Sequence, residues 1–188
     1  MKTPSQTEQE KYNWLFENKD YANYKDAIGL PSKLIKEYSI DSNQKCIDLG
    51  CGRGTLSKHF IDYTGVDISD YIVQENIKNN KGKYIHCSLD KLETISDSFD
   101  VAICSDVMEH IPPELVDGVL KSISNLDCKY FYFSISTRPS KILSRDGDNL
   151  HLTVFDKNKW NSIIREYFTI TRTSSPIHTV ANFKCAKK

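Results

Sequence analysis

Two short stretches of this 188-residue chain combine residue types and spacings that could do chemistry. In the first, the apolar residues Cys46, Ile47 and Leu49 surround Asp48 and run straight into Gly50, Gly52 and Gly54. Such a run suits a fully buried parallel strand, and the glycines remove side chains where the backbone must turn sharply and let a ligand come close. A helix expected from Thr55 would offer unpaired N–H groups at its start, which favours a nucleotide-like ligand. The second stretch is Asp106-Val107-Met108-Glu109-His110-Ile111-Pro112. On a helical turn, Asp106, Glu109 and His110 share one face by the i, i+3, i+4 rule, so two carboxylates and an imidazole would converge. That set could hold a divalent cation such as Mg2+ or Mn2+, with His151 as a further ligand or a general base. Without a metal, His110 has the near-neutral pKa that suits proton transfer.

The glycine spacing narrows the ligand. A dinucleotide fingerprint, G-x-G-x-x-G, would place glycine at position 55, where the chain has Thr55. With Asp48 the pattern is instead D-x-G-x-G-x-G, and here the sequence resembles class I S-adenosylmethionine (SAM) dependent methyltransferases. Thr64-Gly65-Val66-Asp67-Ile68 is similar to that family's second strand, which closes on an acidic residue holding the ribose hydroxyls. The resemblance implies that Gly50 and Gly52 line the methionine part of SAM, that Asp48 orients its ammonium group, and that Cys51 and Gly54 also bind the cofactor. It places Ile68, Ser88, Leu89 and Ser105 around the nucleoside. Ser88 stands where the family usually carries an acid that reads the adenine amino group, with Asp90 able to substitute two residues on. The Asp106–Pro112 stretch resembles the D/E-x-x-E-H-x-P segment of small-molecule methyltransferases, including ubiquinone-biosynthesis O-methyltransferases, and of small-RNA 2′-O-methyltransferases. In some of these an E-x-x-E-H group binds magnesium or a similar ion, whereas in metal-independent members the Glu and His cap a helix or hold loops.

These residues need elements to position them. Expected strands are Cys46–Leu49, a strand closing on Asp67, Lys83–Cys87, Phe99–Cys104, Lys129–Ile135, Phe168–Thr173 and Thr179–Ala186, with helices over 55–63, 71–80 (N-capped by Asp70), 113–124 and 157–166 between them. Strand–helix alternation of this kind builds a doubly wound α/β sheet. The resemblance supplies seven strands in the order 3-2-1-4-5-7-6, six parallel and the last antiparallel. Residues 1–10 are expected to fray. Two amphipathic helices between Glu10 and Tyr38, the second from about Pro31, would form an N-terminal cap (1–44) on a catalytic core (45–188), with Trp14, Tyr21 and Tyr24 offered to the acceptor. The polar segment 136–149 reads as an acceptor-site lid.

Bulk properties set outer bounds. Lys+Arg and Asp+Glu both number 25, so nothing draws the chain as a whole to nucleic acid or anionic membrane. No apolar run reaches the ~20 residues of a membrane span, and no signal-peptide core is present, which together suggest the cytoplasm. Six scattered cysteines without a C-x-x-C pair indicate neither zinc nor disulfides. The resulting expectation is a methyltransferase, monomeric or homodimeric, transferring a methyl group from SAM to oxygen or nitrogen of a small-molecule acceptor. An RNA 2′-O-methyltransferase and a non-catalytic SAM-binding module are the alternatives.

Overall fold

Strand β1 (Cys46–Leu49) is buried along its whole length and is an interior strand of a seven-stranded sheet. The computed structural model describes residues 3–18 and 30–188. The other strands are β2 (Tyr63–Asp67), β3 (Lys83–His86), β4 (Phe99–Ser105), β5 (Cys128–Ser136), β6 (Phe168–Ser174) and β7 (Val180–Lys187). Their order is β3-β2-β1-β4-β5-β7-β6, with β7 antiparallel to both its neighbours and the other six strands parallel, as expected. In register, Asp48 faces Gly65 on β2 and Ile103 on β4. The order of strand succession reverses between the parallel neighbours β1 and β4, and the carboxyl ends of these two strands carry the glycine loop and the Asp106 stretch. A crevice at that reversal is where open α/β sheets bind ligands.

Alternation along the strands builds a core on each face. Ala102 and Cys104 of β4, with Phe131, Phe133 and Ile135 of β5, pack under α4 (Val116–Asn125) and α5 (Lys157–Tyr167), which contribute Leu120, Ile123, Trp160 and Ile164. Val101, Ile103 and Tyr132 point the other way, against Leu34 and Tyr38 of α2 (Leu30–Tyr38) and Val73 of α3 (Asp70–Asn79). Helix α1 (Pro4–Glu17) opens with a capping box: Thr3 Oγ1 accepts from Gln6 N, and Gln6 Oε1 accepts from Thr3 N.

Three local expectations are corrected. The N-terminal segment does not fray through residue 10, because that capping box satisfies the first turn of α1. After the glycine loop the helix is a 3-10 turn, Thr55–His59, rather than a run to Tyr63. Extended pairing takes over there: Ile61 N donates to Ser42 O, and Cys46 N to Asp62 O. The cap of α3 is Ser69, whose Oγ accepts from Ile72 N, with Asp70 as the first helical residue. Tyr21, Tyr24 and the helix expected around them lie outside the described residues. No described helix is long and apolar enough to cross a membrane, and all six cysteines are free thiols.

Candidate active site

One cleft gathers Asp48, Gly50, Cys51 and Gly52 from the β1 loop, Asp67 and Ile68 from β2, Ser88 and Leu89 after β3, and Ser105, Asp106 and His110 after β4. Every residue singled out for the nucleoside and methionine halves of the ligand is there except Gly54. That glycine packs elsewhere: a side chain on it would meet the Tyr84 hydroxyl at 2.7 Å and Asn80 at 3.2 Å. Gly50, at φ +76°, is required by its surroundings, since a β-carbon would lie 2.5 Å from Val107 Cγ2. Gly52, at φ +48°, faces open space out to Phe16 at 3.7 Å.

The loop holds itself open with its own amides. Gly50 N and Cys51 N both donate to Val66 O, Gly54 N to Cys51 O, and Gly52 N to Asp67 Oδ2 at 2.8 Å. The amides of Gly50, Cys51, Gly52 and Gly54 are thus spent within the fold, and side chains contribute to the polar character of the cleft. Two asparagines that sequence reasoning passed over complete the brace. Buried Asn76 donates to Gly52 O at 2.7 Å, and Asn80, one turn on, donates to Arg53 O and Asn76 Oδ1. Their i, i+4 spacing, with Asn76 beside the apolar pair Ile72 and Val73 on the inner face of α3, was the legible signal.

Asp67 accepts from Gly52 N and, through Oδ1, from Ser69 N at 2.9 Å, so it ties together both loops that flank it. Asp48 is 5% exposed and accepts from the Tyr63 hydroxyl at 2.7 Å. Burial pushes its pKa up to about 7, the Tyr63 bond opposing this and the Asp67 charge adding to it. A carboxyl whose folded pKa exceeds its unfolded value lowers stability as pH rises between the two, so the cost is absent near pH 4 and complete above about pH 7. Asp48→Asn is therefore expected to raise the melting temperature of the ligand-free protein at pH 8, by up to a few kcal/mol, at about 2–4 °C per kcal/mol. The gain should vanish towards pH 4. Thermal melts at both pH values check this, and an equal shift at both would sink it.

Ser88 Oγ donates to Asp90 Oδ1, and both residues line the cleft, so the hydroxyl and the carboxylate form one polar unit. Ser105 Oγ is buried and unpaired among the described residues. Helix α1 closes one wall with Ser5, Glu8, Tyr12 and Phe16. It is anchored by Asn13, whose Oδ1 accepts from Ser69 Oγ and whose Nδ2 donates to Asp70, and by Arg53, which donates to Phe16 O. Trp14 does not line the cleft; Tyr12 and Phe16, on the neighbouring stripe of the helix, do.

The second stretch converges by a route other than one helical face. Asp106 takes φ +60°, a left-handed conformation that aspartate tolerates, and only Met108–His110 form a 3-10 turn. The ligand atoms of Asp106, Glu109, His110 and His151 nevertheless lie within 4.8 Å of one another. The segment after β5 makes this possible. Ser136 N donates to Glu109 Oε1 at 2.7 Å, Thr153 N to Glu109 O, and Thr153 Oγ1 to Ile111 O. Asn149 clasps that segment, accepting from Ser140 N and His151 N. No described residue from 137 to 150 lines the cleft, so the expected lid supports the site from behind.

Both imidazoles have their tautomer set. His110 Nδ1 lies 3.0 Å from Leu150 O and His151 Nδ1 2.6 Å from Arg138 O; a carbonyl only accepts, so each Nδ1 carries a proton and Nε2 is the ring nitrogen left for another partner. The rings meet edge to face with centroids 4.7 Å apart. Burial pushes the His110 pKa down to about 4, with nearby Asp106 pulling it up and His151 lowering it further, so the ring is neutral at physiological pH. Glu109 is fully buried, and burial first, then the Asp106 charge, raises its pKa well above the carboxylate range. Its Oε2 has no hydrogen-bond partner among the described residues. A buried carboxyl oxygen beside a second acidic side chain and two imidazoles, each ring held by a backbone carbonyl, forms a group that could hold a divalent cation.

Comparison with known proteins agrees with this architecture. A family model described as "Methyltransferase domain" matches residues 21–168. Among curated proteins, the ubiquinone biosynthesis O-methyltransferase of Psychrobacter cryohalolentis is 27% identical over 129 residues, 61% of this chain and 48% of that protein. The mitochondrial enzyme of the same name from Schizosaccharomyces pombe is 28% identical over 92 residues, 43% and 33% respectively. The chain thus spans half or less of the length of these relatives. Among solved structures, magnesium protoporphyrin IX methyltransferase from Synechocystis PCC 6803, with bound SAM, superposes with a TM-score of 0.70 at 15% identity, covering 100% of this chain and 99% of that one. That likeness is one of fold.

Proposed function

Because the chain belongs to the methyltransferase-domain family, we propose that it transfers a methyl group from SAM to an oxygen or nitrogen atom of a small-molecule acceptor. The observation that carries this reading is the single cleft in which the glycine loop, Asp67 and the Ser88–Asp90 pair meet Asp106 and His110. In this reading Asp67 accepts from the ribose hydroxyls, as one carboxylate can from two hydroxyls in charge-assisted bonds. Asp48 takes the ammonium group, and Gly50, Cys51 and Gly52 give the methionine chain close backbone approach. Ser88, with Asp90, receives the adenine amino group while Ile68 and Leu89 pack on the ring. The unpaired Ser105 hydroxyl supplies a further polar contact. Residues 1–44 act as a cap through α1, whereas α2 is packed into the core with Leu34 and Tyr38.

Methyl transfer from a sulfonium is an in-line displacement with an activated leaving group. The protein mainly has to align acceptor and methyl, exclude water and remove the acceptor's proton. Tyr12 and Phe16 of α1 exclude water from above the glycine loop. Asp106, Glu109, His110 and His151 would hold Mg2+ or Mn2+, and an ion there would lower the pKa of an acceptor hydroxyl. Two imidazoles among four ligands suit manganese better than magnesium, which prefers oxygen donors and retained water. The match to ubiquinone-biosynthesis O-methyltransferases directs the acceptor search to hydroxylated aromatic compounds first.

The test is a screen of phenols, catechols, sugars, amines and short RNAs with SAM, reading released S-adenosylhomocysteine. Acceptor-dependent release with a phenol or catechol is expected. SAM binding without release for any acceptor would leave a SAM-binding module, and release only with RNA would move the acceptor class.

A further inference from the structure

The Tyr63 hydroxyl has no role in the functional reading above, yet among the described residues it makes the one side-chain hydrogen bond to Asp48. Tyr63 stands on β2 opposite Cys46, diagonal to Asp48, and is 3% exposed. Gly65, directly opposite Asp48, leaves room for Cys51 and Tyr84: a side chain there would lie 2.9 Å from Cys51 Sγ and from the Tyr84 ring. The Tyr63 hydroxyl donates to Asp48 Oδ2 at 2.7 Å, and the ring packs on Tyr84 with centroids 5.7 Å apart. Asp48 itself lines the cleft, whereas Tyr63 does not. The bond therefore reaches the carboxylate from its buried side.

We propose that Tyr63 is a positioning residue for the cofactor, holding the Asp48 carboxylate charged and aimed at the amino-acid end of SAM without touching SAM itself. This rests on the reading of the cleft as a SAM site with Asp48 at the ammonium group. The groups around Asp48 give it little other support. Asp67 faces it from the same strand as Tyr63, Cys51 from the glycine loop, Cys46 from its own strand, Cys104 from β4 and Tyr84 from β3. One is a second carboxylate and the rest are groups that are neutral at physiological pH. Among the described residues, Tyr63 is the donor that favours the anion, and burial opposes it. A cationic ammonium arriving on the cleft side would meet a carboxylate already steadied from behind, as a second layer of bonds steadies a metal ligand.

The test is calorimetry on the full chain with three ligands from pH 6 to 9: SAM, S-adenosylhomocysteine and 5′-methylthioadenosine, the last lacking the amino-acid group. In Tyr63→Phe, SAM and S-adenosylhomocysteine should bind about tenfold more weakly at pH 7, with the pH midpoint of their binding moved upward. Methylthioadenosine affinity should be unchanged. In an Asp48→Asn background, Tyr63→Phe should have almost no further effect on SAM. Equal weakening of all three ligands, or none, would overturn the proposal. Should Tyr63→Phe not fold, 3-fluorotyrosine placed at position 63, a stronger donor of the same shape, should move the SAM midpoint downward, and an unmoved midpoint would overturn it. A wild-type protein that binds methylthioadenosine and not SAM, or neither, sinks the functional reading instead.

Discussion

Asp67→Ala is expected to weaken SAM binding at least tenfold, a loss of ~1.4 kcal/mol or more at room temperature. Two effects act together. The substitution removes the carboxylate proposed to receive the ribose hydroxyls, and it releases Gly52 N and Ser69 N, which that carboxylate now holds at 2.8 and 2.9 Å. Both amides belong to loops that line the cleft, so the wall loosens as the contact goes. Asp67→Asn, which keeps an acceptor oxygen and the size, should lose less. Gly52→Val tests the other wall. A side chain there must be accommodated at φ +48° and would project into the gap facing Phe16, so a comparable loss is expected. Calorimetry with SAM decides both, and unchanged affinity in the two variants would remove the cofactor assignment.

His110→Ala should lower turnover by at least about a hundredfold, the upper range for losing even an outer support of a metal site. It removes one of the two imidazoles that would share such an ion with Glu109 and Asp106. Chelation with EDTA should abolish activity, with Mn2+ restoring it at lower concentration than Mg2+. Glu109→Gln is the finer probe, because the amide oxygen can still accept from Ser136 N and keep the segment after β5 in place. It should leave the fold intact while raising the metal concentration needed for half-maximal activity. Full activity in EDTA together with an inactive His110→Ala would make His110 the general base, and normal turnover in His110→Ala would dispose of both roles.

What the sequence by itself determined is the frame. Strand–helix alternation is a local property, and three glycines after a buried strand admit few backbone courses, so the doubly wound sheet and the location of the cleft were legible, while the strand order came from the family resemblance. Asp48, Gly50, Gly52, Asp67, Ser88 and Ser105 were placed from spacing and resemblance because each sits at a strand end, where chain position and spatial position coincide. Other features were decided by contacts between distant segments. The helix expected after the glycine loop shrank to a 3-10 turn because residues 60–62 pair with residues 42–46. The amides of Gly50, Cys51, Gly52 and Gly54 are taken by Val66 O, Cys51 O and Asp67, partners that spacing alone does not reveal. Asp106, Glu109 and His110 do not share a helical face; they meet His151, 41 residues further on, only because Glu109 and Ile111 are pinned to Ser136 and Thr153. Spacing along a chain can propose a face, but a left-handed residue at position 106, a proton fixed on each Nδ1 by a remote carbonyl and a buried oxygen without a partner are properties of the folded arrangement alone.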